Sequence, residues 1–275
     1  MTEVGIFVVP SAAGHESVTA QVLAADESGL AYVGVQDHPY QRRFLDTWTL
    51  LTYLAARTRR VRLVPDVLNL PLRLPAMIGK AATSLDLLSG GRVEIGLGAG
   101  AYWDAIEAMG GPRRTPKESV DAVEEALPIL HAYLSGERSV TFEGRIYRVT
   151  GARPGPPPTH PIGVWIGAYG PRMLALTGRL GDGWIPSLGA RFLADEDVPG
   201  MHARIDDAAR LAGRDPKEIK RVVNLMALEG TPNQWRERLL RVGELGFETI
   251  LVGVPDNDPV PFVRRLAEDV VPRLP

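Results

Sequence analysis

The sequence contains no cysteine, and this absence excludes disulfide bonds, thiolate nucleophiles, iron–sulfur clusters and cysteine-ligated zinc. It also lacks an excess of either charge, because 31 Lys and Arg face 33 Asp and Glu with no block of like charge. Binding to nucleic acid through a basic surface is therefore not expected. The first ten residues, which include Glu3, lack the charged start and apolar run of a secretion signal, so we expect a cytoplasmic protein without a membrane span.

What the sequence does have is a repeated alternation of strand-like apolar runs with segments of helical periodicity. The eight pairs occupy residues 4–9 and 16–29, 32–36 and 47–55, 61–64 and 74–88, 93–97 and 115–134, 163–166 and 171–180, 183–185 and 195–212, 222–228 and 232–245, and 249–252 and 260–271. Strands that are apolar on both faces are typical of a parallel sheet covered by helices. The pattern predicts an α/β protein with one (β/α)8 barrel, or TIM barrel, as a single domain over residues 1–275. Thr47 is expected to cap the second helix.

The interval between the fourth and fifth strands is longer than the others and predicts an insertion at about residues 136–162. Two short alternating runs flank Glu143 and Gly144, which is the pattern of a β-hairpin. A proline-rich stretch, 153–161, follows and is typical of a stiff, extended connector. This insertion either covers the mouth of the barrel or lies on its surface.

In a barrel of this type, catalytic groups lie where strands end and the following loops begin. His38 is the one histidine of five at such a position, where an imidazole can donate a proton or a hydrogen bond to a substrate. The preceding Asp37 can orient it. A purely structural role, in which His38 ties its loop down, is the alternative. The other histidines share no ligand spacing, so no metal site is expected.

Two glycine-rich turns follow the fourth and fifth predicted strands. Residues 96–101 match the G-x-G-x-x-A pattern of dinucleotide-binding folds. They follow the fourth strand rather than the first, so we expect the glycines to permit close approach of the backbone to a flat ring instead. Residues 167–172 place a small-residue turn before Pro171 at a helix start, which can bind an anion through free N–H groups and Arg172. Turns that bind no ligand are the alternative for both segments.

Together these features resemble the luciferase-like flavin- and deazaflavin-dependent oxidoreductases. The similarity runs through most of the chain. Several motifs carry it in the same order, namely residues 35–38, 70–75, 85–92, 96–100, 165–174 and 181–184. The resemblance implies an eight-stranded barrel whose mouth holds an isoalloxazine or deazaflavin ring, with the phosphate end near the loop after the fifth strand. It also implies a homodimer.

Carried over by position, the resemblance assigns roles to individual residues. His38 matches the family's histidine beside the reactive ring atom and is the predicted catalytic residue. Asp66 and Val67 fall where the family has a non-prolyl cis peptide against the ring. The predicted cofactor-binding residues are Asp37, Asp66, Val67, Leu68, Asn69, Gly98, Ala99, Gly100, Gly167, Ala168, Tyr169, Gly170, Pro171, Arg172, Met173 and Trp184. Tyr102, Trp103 and the loop 187–200 are candidates for the substrate pocket.

The activity that the resemblance implies is hydride transfer between bound coenzyme F420 and a small organic substrate. The turn at 167–174 is more similar to the F420-dependent branch than to the FMN-dependent branch, which tends to a Gly-Gly-Ser turn. Only four of the 31 basic residues are lysine, which indicates a GC-rich genome, where F420 is commoner. The branch that oxidises sugar phosphates has a Glu directly after the glycine that ends strand four, whereas this sequence has Ala101.

Two other functions are weighed against hydride transfer with F420. The first is a reduced-FMN-dependent monooxygenase of the bacterial luciferase type, which depends on a separate flavin reductase. The second is a cofactor-binding barrel without catalytic turnover. The expected partners are a small-molecule substrate and a flavin or F420 reductase.

Overall fold

The structure, a computed structural model, describes residues 2–189 and 191–274. Its strands, β1 to β12, are Glu3–Val8, Tyr32–Val35, Arg62–Pro65, Leu68–Asn69, Ile95–Gly98, Val140–Glu143, Arg148–Ala152, Val164–Ile166, Gly183–Trp184, Ser187–Leu188, Lys220–Leu225 and Thr249–Gly253. Its α-helices, α1 to α9, are His15–Glu27, Thr47–Arg57, Pro75–Ser89, Trp103–Ala108, Pro116–Leu134, Pro171–Leu180, Val198–Leu211, Pro232–Glu244 and Pro259–Arg265. None of these helices is long and apolar enough to cross a membrane.

The main sheet is parallel and curves into a barrel. Its strands follow the order β3, β2, β1, β12, β11, β9, β8, β5 and β4, and β10 pairs with β11. The third predicted strand is divided into β3 and β4, which are joined by Asp66 and Val67. β3 pairs with β2, and β4 pairs with β5. A parallel bridge joins Leu63 of β3 to Val93, two residues before β5. The predicted eightfold α/β barrel is thus confirmed.

Both faces of the strands are buried, which explains why the strand sequences are so continuously apolar. On β2, Val33 and Val35 belong to the layer between sheet and helices, whereas Tyr32 belongs to the cluster that fills the barrel. The interior cluster consists of Phe7, Tyr32, Val64, Trp165, Ile185, Val222 and Leu251. Side chains of this size fill the lower barrel, so a ligand has room only at the open end.

The predicted hairpin is present, and it packs on the side of the barrel. β6 and β7 pair antiparallel, and the turn between them is held by Glu125 of α5. The Glu125 carboxylate accepts hydrogen bonds from the backbone N–H groups of Arg145, Ile146 and Tyr147 at 2.8 to 2.9 Å. The hairpin is therefore fixed against α5, and the proline-rich connector after it is attached to α3, where Asp86 accepts from the backbone of Thr159 at 2.7 Å.

The start of α2 differs from the expectation. Asp46, not Thr47, caps this helix, because its carboxylate accepts from the backbone N–H of Thr49 at 2.9 Å. The hydroxyl of Thr47 donates instead to the carbonyl of Gln36 at 2.6 Å. This bond fastens the helix to the end of β2, just before His38. Adjacent Asp and Thr residues are both good caps, so the sequence alone did not separate them.

The loop that leads into β3 depends on one carboxylate. Asp26 on α1 is 7% exposed and accepts from the backbone N–H groups of Arg59, Arg60 and Val61 at 2.7 to 3.1 Å. Burial opposes ionisation of this carboxyl, but the three N–H donors outweigh burial and lower the pKa of Asp26 below its ordinary value. The ionised form therefore stabilises the entry to the third strand.

We expect Asp26→Asn to lower the free energy of unfolding at pH 7 by roughly 1 to 3 kcal/mol, because buried N–H donors lose a charged acceptor. Since the folded pKa is depressed, this contribution is present above the unfolded value and is lost as the pH falls through the folded pKa. The difference from the wild type should shrink towards pH 3 in urea denaturation, while the exposed Asp256→Asn control should change little at either pH. An equal effect of Asp26→Asn at pH 3 and pH 7 would contradict this account.

Candidate functional site

A cavity of about 360 Å³ opens at the carboxyl ends of the barrel strands. This volume falls within the range of small-molecule sites. The residues that line it are Phe7, Gln36, Asp37, His38, Tyr40, Asp66, Val67, Leu68, Asn69, Gly98, Ala99, Gly100, Ala101, Tyr102, Gly167, Tyr169, Ile185, Ser187, Phe192, Asn224 and Met226. They come from the ends of seven barrel strands and the loops after them, so the cavity is where a barrel of this type is expected to carry its site.

Most of the residues predicted from the strand ends meet in this cavity. His38 lines it together with ten of the predicted cofactor-binding residues. These ten are Asp37, Asp66, Val67, Leu68, Asn69, Gly98, Ala99, Gly100, Gly167 and Tyr169. The other predicted residues do not line it: Ala168, Gly170, Pro171, Arg172, Met173 and Trp184. Of the three substrate-pocket candidates, Tyr102 lines the cavity, Trp103 does not, and the loop 187–200 contributes Ser187 and Phe192, with its residue 190 outside the described residues.

The side chain of Trp184 faces away from the cavity, contrary to the prediction. It is fully buried between the barrel and α7, where it packs against His202 and Phe247. Its indole N–H donates to the carbonyl of Ala168 at 2.9 Å. Because alternate residues of a strand point to opposite faces, Ile185 lines the cavity and its neighbour Trp184 cannot. Trp184 therefore supports the loop after β8 from behind.

The start of α6 lies beyond the edge of the cavity. Gly170 precedes the helix without a side-chain cap, and Pro171 is its first residue. The first N–H groups of the helix are thus free for an anion. Arg172 is half-exposed, with its Nη2 3.3 Å from an Asp121 carboxylate oxygen, and Met173 is buried in the core.

The loop that carries His38 is held by a buried ion pair. The carboxylate of Asp37 is 1% exposed and accepts from Nε and Nη2 of Arg73 at 3.0 and 2.8 Å. It also accepts from the backbone N–H of Asn69 at 2.9 Å. Removing one partner of such a pair leaves an uncompensated buried charge, so the arrangement is stiff. Asp37 thus joins the loop after β2 to the end of β4 and places His38 beside the cavity.

The imidazole of His38 is enclosed by two tyrosines. The ring of Tyr40 stacks on it with centroids 5.4 Å apart and an interplanar angle of 21°. The ring of Tyr102 meets it edge-on at 5.5 Å. Burial lowers the pKa of His38, and the nearby Asp37 carboxylate opposes this only in part. The imidazole is therefore neutral at neutral pH, with one ring nitrogen able to donate a hydrogen bond and the other able to accept one.

The segment between β3 and β4 bulges towards the neighbouring strands. The peptide between Asp66 and Val67 is cis. A Cβ atom on Gly98 would lie 2.7 Å from a Val67 methyl carbon, and one on Gly167 would lie 3.2 Å from it. Gly98, which we expected to approach a bound ring, and Gly167, which we expected in an anion-binding turn, both make room for Val67, a side chain of the protein itself.

Asp66 places a buried carboxyl group at the base of the cavity. It is 4% exposed, and its Oδ1 accepts from Nδ2 of Asn224 on β11 at 3.0 Å. Asp66 Oδ2 and Asn224 Oδ1 are buried without a hydrogen-bond partner in the described part of the chain. Burial raises the pKa of Asp66 to about 7, although the Asn224 bond opposes the shift. Unsatisfied polar atoms beside a cavity are typical of a site that a ligand completes.

Several lining residues were not found from the sequence. Asn224 is a polar residue within the otherwise apolar run 222–228, and that contrast is a signal that could have identified it. Phe7, Ile185 and Met226 are ordinary apolar strand residues, so their sequence context does not distinguish them from core positions. Tyr40 lies two residues after His38 and carries no signal apart from that proximity.

The chain is similar in sequence and in fold to several known proteins. The family model described as luciferase-like monooxygenase matches residues 2–228. An F420-dependent glucose-6-phosphate dehydrogenase of Beutenbergia cavernae is 29% identical over 93% of this chain and 92% of its own length. An F420-dependent hydroxymycolic acid dehydrogenase of Mycobacterium tuberculosis is 30% identical over 78% of this chain and 59% of its own length. The solved structure of an F420-dependent secondary alcohol dehydrogenase with an F420-acetone adduct shares the fold, with a TM-score of 0.88, 17% identity and 98% of each chain covered.

The raised pKa of Asp66 gives a stability prediction with a definite sign. The pKa of Asp66 in the folded protein lies above its value in the unfolded chain. The contribution of its neutral carboxyl to the free energy of unfolding is therefore fully present below the unfolded pKa and is lost as the pH rises through about 7. Asp66→Asn keeps an acceptor for Asn224 and cannot ionise. We therefore expect the variant to match the wild type near pH 4 and to exceed it at pH 8 by up to about 4 kcal/mol in denaturant unfolding of the ligand-free protein.

Asp46→Asn is the matched control for this experiment. Hydrogen bonds from Arg73 and Thr49 outweigh burial and lower the pKa of Asp46, so its substitution should destabilise the protein more at pH 8 than at pH 4. The two variants should thus deviate from the wild type in opposite directions at pH 8. A loss of stability in Asp66→Asn at pH 8 would show that burial does not disfavour ionisation of the Asp66 carboxyl.

Proposed function

This chain belongs to the luciferase-like monooxygenase family, and from that premise we propose that it is an oxidoreductase that transfers a hydride between bound coenzyme F420 and a small organic substrate. The observation that carries the proposal is the meeting of His38, Val67 and the unsatisfied Asp66–Asn224 pair in one cavity. The F420-dependent activities in the names of its relatives support the choice of cofactor.

The residues of the cavity fit a flat ring with polar edges. Val67 offers an apolar surface, and Asp66 Oδ2 and Asn224 Oδ1 lack partners among the described residues. We place the phosphate end of the cofactor at the start of α6, where free N–H groups and Arg172 favour an anion. Bound F420 would supply the ring carbon that accepts or donates the hydride. The chain supplies orientation, an apolar wall and a proton-handling group.

That proton-handling group is His38. A substrate that gives up a hydride from carbon and becomes a carbonyl also releases a proton from oxygen. The neutral imidazole beside the cavity can accept this proton at its unprotonated ring nitrogen, and the protonated imidazole returns it in the reverse direction. Asp37 acts as a positioning residue because its carboxylate is tied to Arg73 and to the Asn69 backbone.

The proposal predicts that His38→Ala keeps its affinity for F420 and loses about 10²- to 10⁴-fold in turnover, as expected for a general acid or base. Affinity is measured by titrating the cofactor-free protein with F420, and turnover by the absorbance of the deazaflavin. In the oxidation direction the rate should fall as the pH drops through the lowered pKa of His38, since the imidazole must be neutral to accept a proton. In the reduction direction the rate should rise over the same interval, and both limbs should vanish in His38→Ala.

Unchanged turnover in His38→Ala would remove His38 from the mechanism. The same titration with FMN tests the alternative, a reduced-FMN-dependent monooxygenase supplied by a separate flavin reductase. Tighter binding of FMN than of F420, together with oxygen-dependent turnover, would favour that alternative. Tight binding of a cofactor without any turnover would favour a non-catalytic barrel. In the F420-dependent case, when the reaction runs towards reduction of the substrate, an F420 reductase is the proposed partner that renews the reduced cofactor.

We also propose that the protein is a homodimer formed around α3. Leu74, Met77 and Leu88 lie on one side of this helix and are 65, 61 and 79% exposed. Clustered apolar side chains of this kind are typical of an interaction surface. Met77→Glu should therefore shift the sedimentation mass from dimer to monomer, and Leu211→Glu, at a 90% exposed position on α7, should not. A monomeric wild-type protein would contradict the proposal.

The cytoplasmic location stays a prediction that fractionation of host cells can test.

A further inference from the structure

The cavity is rich in aromatic side chains. Aromatic residues make up 7% of the sequence, but they are five of the 21 residues that line the cavity. Phe7 lies at the base and belongs to the barrel interior. Tyr102 and Phe192 are 62 and 56% exposed, so most of their ring surface is left for a ligand. Exposed rings beside a cavity are costly in water and favourable when a flat apolar molecule covers them.

The ring of Tyr102 belongs to a cluster of three aromatic rings. Its backbone has φ 25° and ψ 56°, a left-handed conformation that tyrosine rarely adopts. The ring contacts Tyr40 at 5.8 Å and His38 at 5.5 Å between centroids. Tyr40 in turn stacks on His38. One continuous aromatic surface therefore runs from the group that handles the proton to the edge of the cavity.

The lining offers no positive charge to a ligand. Among the described residues that form it, none is Lys or Arg. Arg73 lies behind Asp37 and is paired with both Asp37 and Asp46 at 2.7 to 2.8 Å. Arg172 lies beyond the edge and contacts Asp121. Neither arginine lines the cavity.

The ionisable groups of the lining add no positive charge at neutral pH. Burial keeps His38 uncharged at neutral pH by lowering its pKa, and it raises the pKa values of Asp66 and Tyr40. Asp37 carries a charge, but Arg73 balances it. A substrate anion that entered this cavity would lose its hydration and find no counter-charge, which disfavours binding strongly.

We propose that the substrate is an uncharged molecule with a flat ring system that packs against Tyr102 and Phe192, an inference that rests on the proposed function. Phosphorylated or carboxylated substrates are then excluded. The rim is assigned to the substrate because Val67 and the Asp66–Asn224 pair at the base are assigned to the cofactor. The neutral polar groups Gln36 and Ser187 remain for hydrogen bonds to a hydroxyl or carbonyl of the substrate. The sugar phosphate in the name of one relative does not fit this lining.

The test compares three probes of matched size on the F420-loaded protein and on the cofactor-free protein. The probes are 2-naphthol, its saturated analogue decahydro-2-naphthol, and 2-naphthyl phosphate, and their dissociation constants are measured by calorimetry. We expect 2-naphthol to bind at least about tenfold more tightly than 2-naphthyl phosphate, and about two- to tenfold more tightly than decahydro-2-naphthol. Equal or tighter binding of the phosphate, or no binding of 2-naphthol to either form, would overturn the inference.

Variants locate the binding surface. Tyr102→Ala and Phe192→Ala should each weaken 2-naphthol about fivefold or more, while Tyr102→Phe should keep the wild-type affinity because the ring is retained. Tyr53→Ala, which removes a half-exposed ring from α2 outside the cavity, is the control and should have no effect. Ala101→Lys adds a cation to the lining and should improve binding of 2-naphthyl phosphate selectively.

The outcomes separate this inference from the proposed function. Failure of F420 to bind in the preceding titration overturns the cofactor assignment, yet the probe preferences can still be measured on the cofactor-free protein. The substrate class alone is overturned if F420 binds normally but 2-naphthol binds no more tightly than 2-naphthyl phosphate. It is also overturned if both alanine variants keep the wild-type affinity for 2-naphthol. If Ala101→Lys improved the binding of 2-naphthol as much as that of 2-naphthyl phosphate, the charge of the ligand would not set the selectivity.

Discussion

The site depends on the close packing of Val67 against the ends of two neighbouring strands. The chain reaches that position because the third strand pairs with β2 up to Pro65, bulges at Asp66 and Val67, and pairs with β5 from Leu68 onwards. No Cβ atom could be accommodated at Gly98 without displacing Val67. The bulge brings an apolar side chain and a buried carboxyl group to the base of the cavity within two residues. An ordinary continuous strand would place neither there.

A second constraint links that bulge to His38. The Asp37 carboxylate binds both the Arg73 guanidinium and the backbone N–H of Asn69, which follows the bulge by two residues. The position of the imidazole is therefore coupled to the base of the cavity through one buried ion pair. Preorganised contacts of this kind allow a group to act without rearranging when a ligand binds. The bond from Thr47 to the Gln36 carbonyl holds the same loop from the helix side.

Several features of the site oppose stability and thereby point to function. Asp66 is buried without a cation, three side-chain oxygens of residues that line the cavity are unsatisfied among the described residues, and Tyr102 adopts a left-handed backbone conformation. At the opposite end of the barrel, Lys220 donates to Glu3 at 2.7 Å and to the hydroxyl of Tyr32 at 2.9 Å. The contrast is expected when one end of a barrel serves binding and the other serves folding.

The sequence alone determined the eight strand and helix units, the hairpin insertion and the group of residues at the strand ends around His38, because local periodicity and turn composition specify these features. The tertiary structure decided which way side chains point and which distant residues meet. Trp184 ends a two-residue strand and faces the helices, whereas Ile185, which follows it, faces the cavity, and no local pattern sets that register. Asp66 and Asn224 are 158 residues apart and meet only because closure of the barrel brings β3 and β11 to opposite sides of one narrow interior.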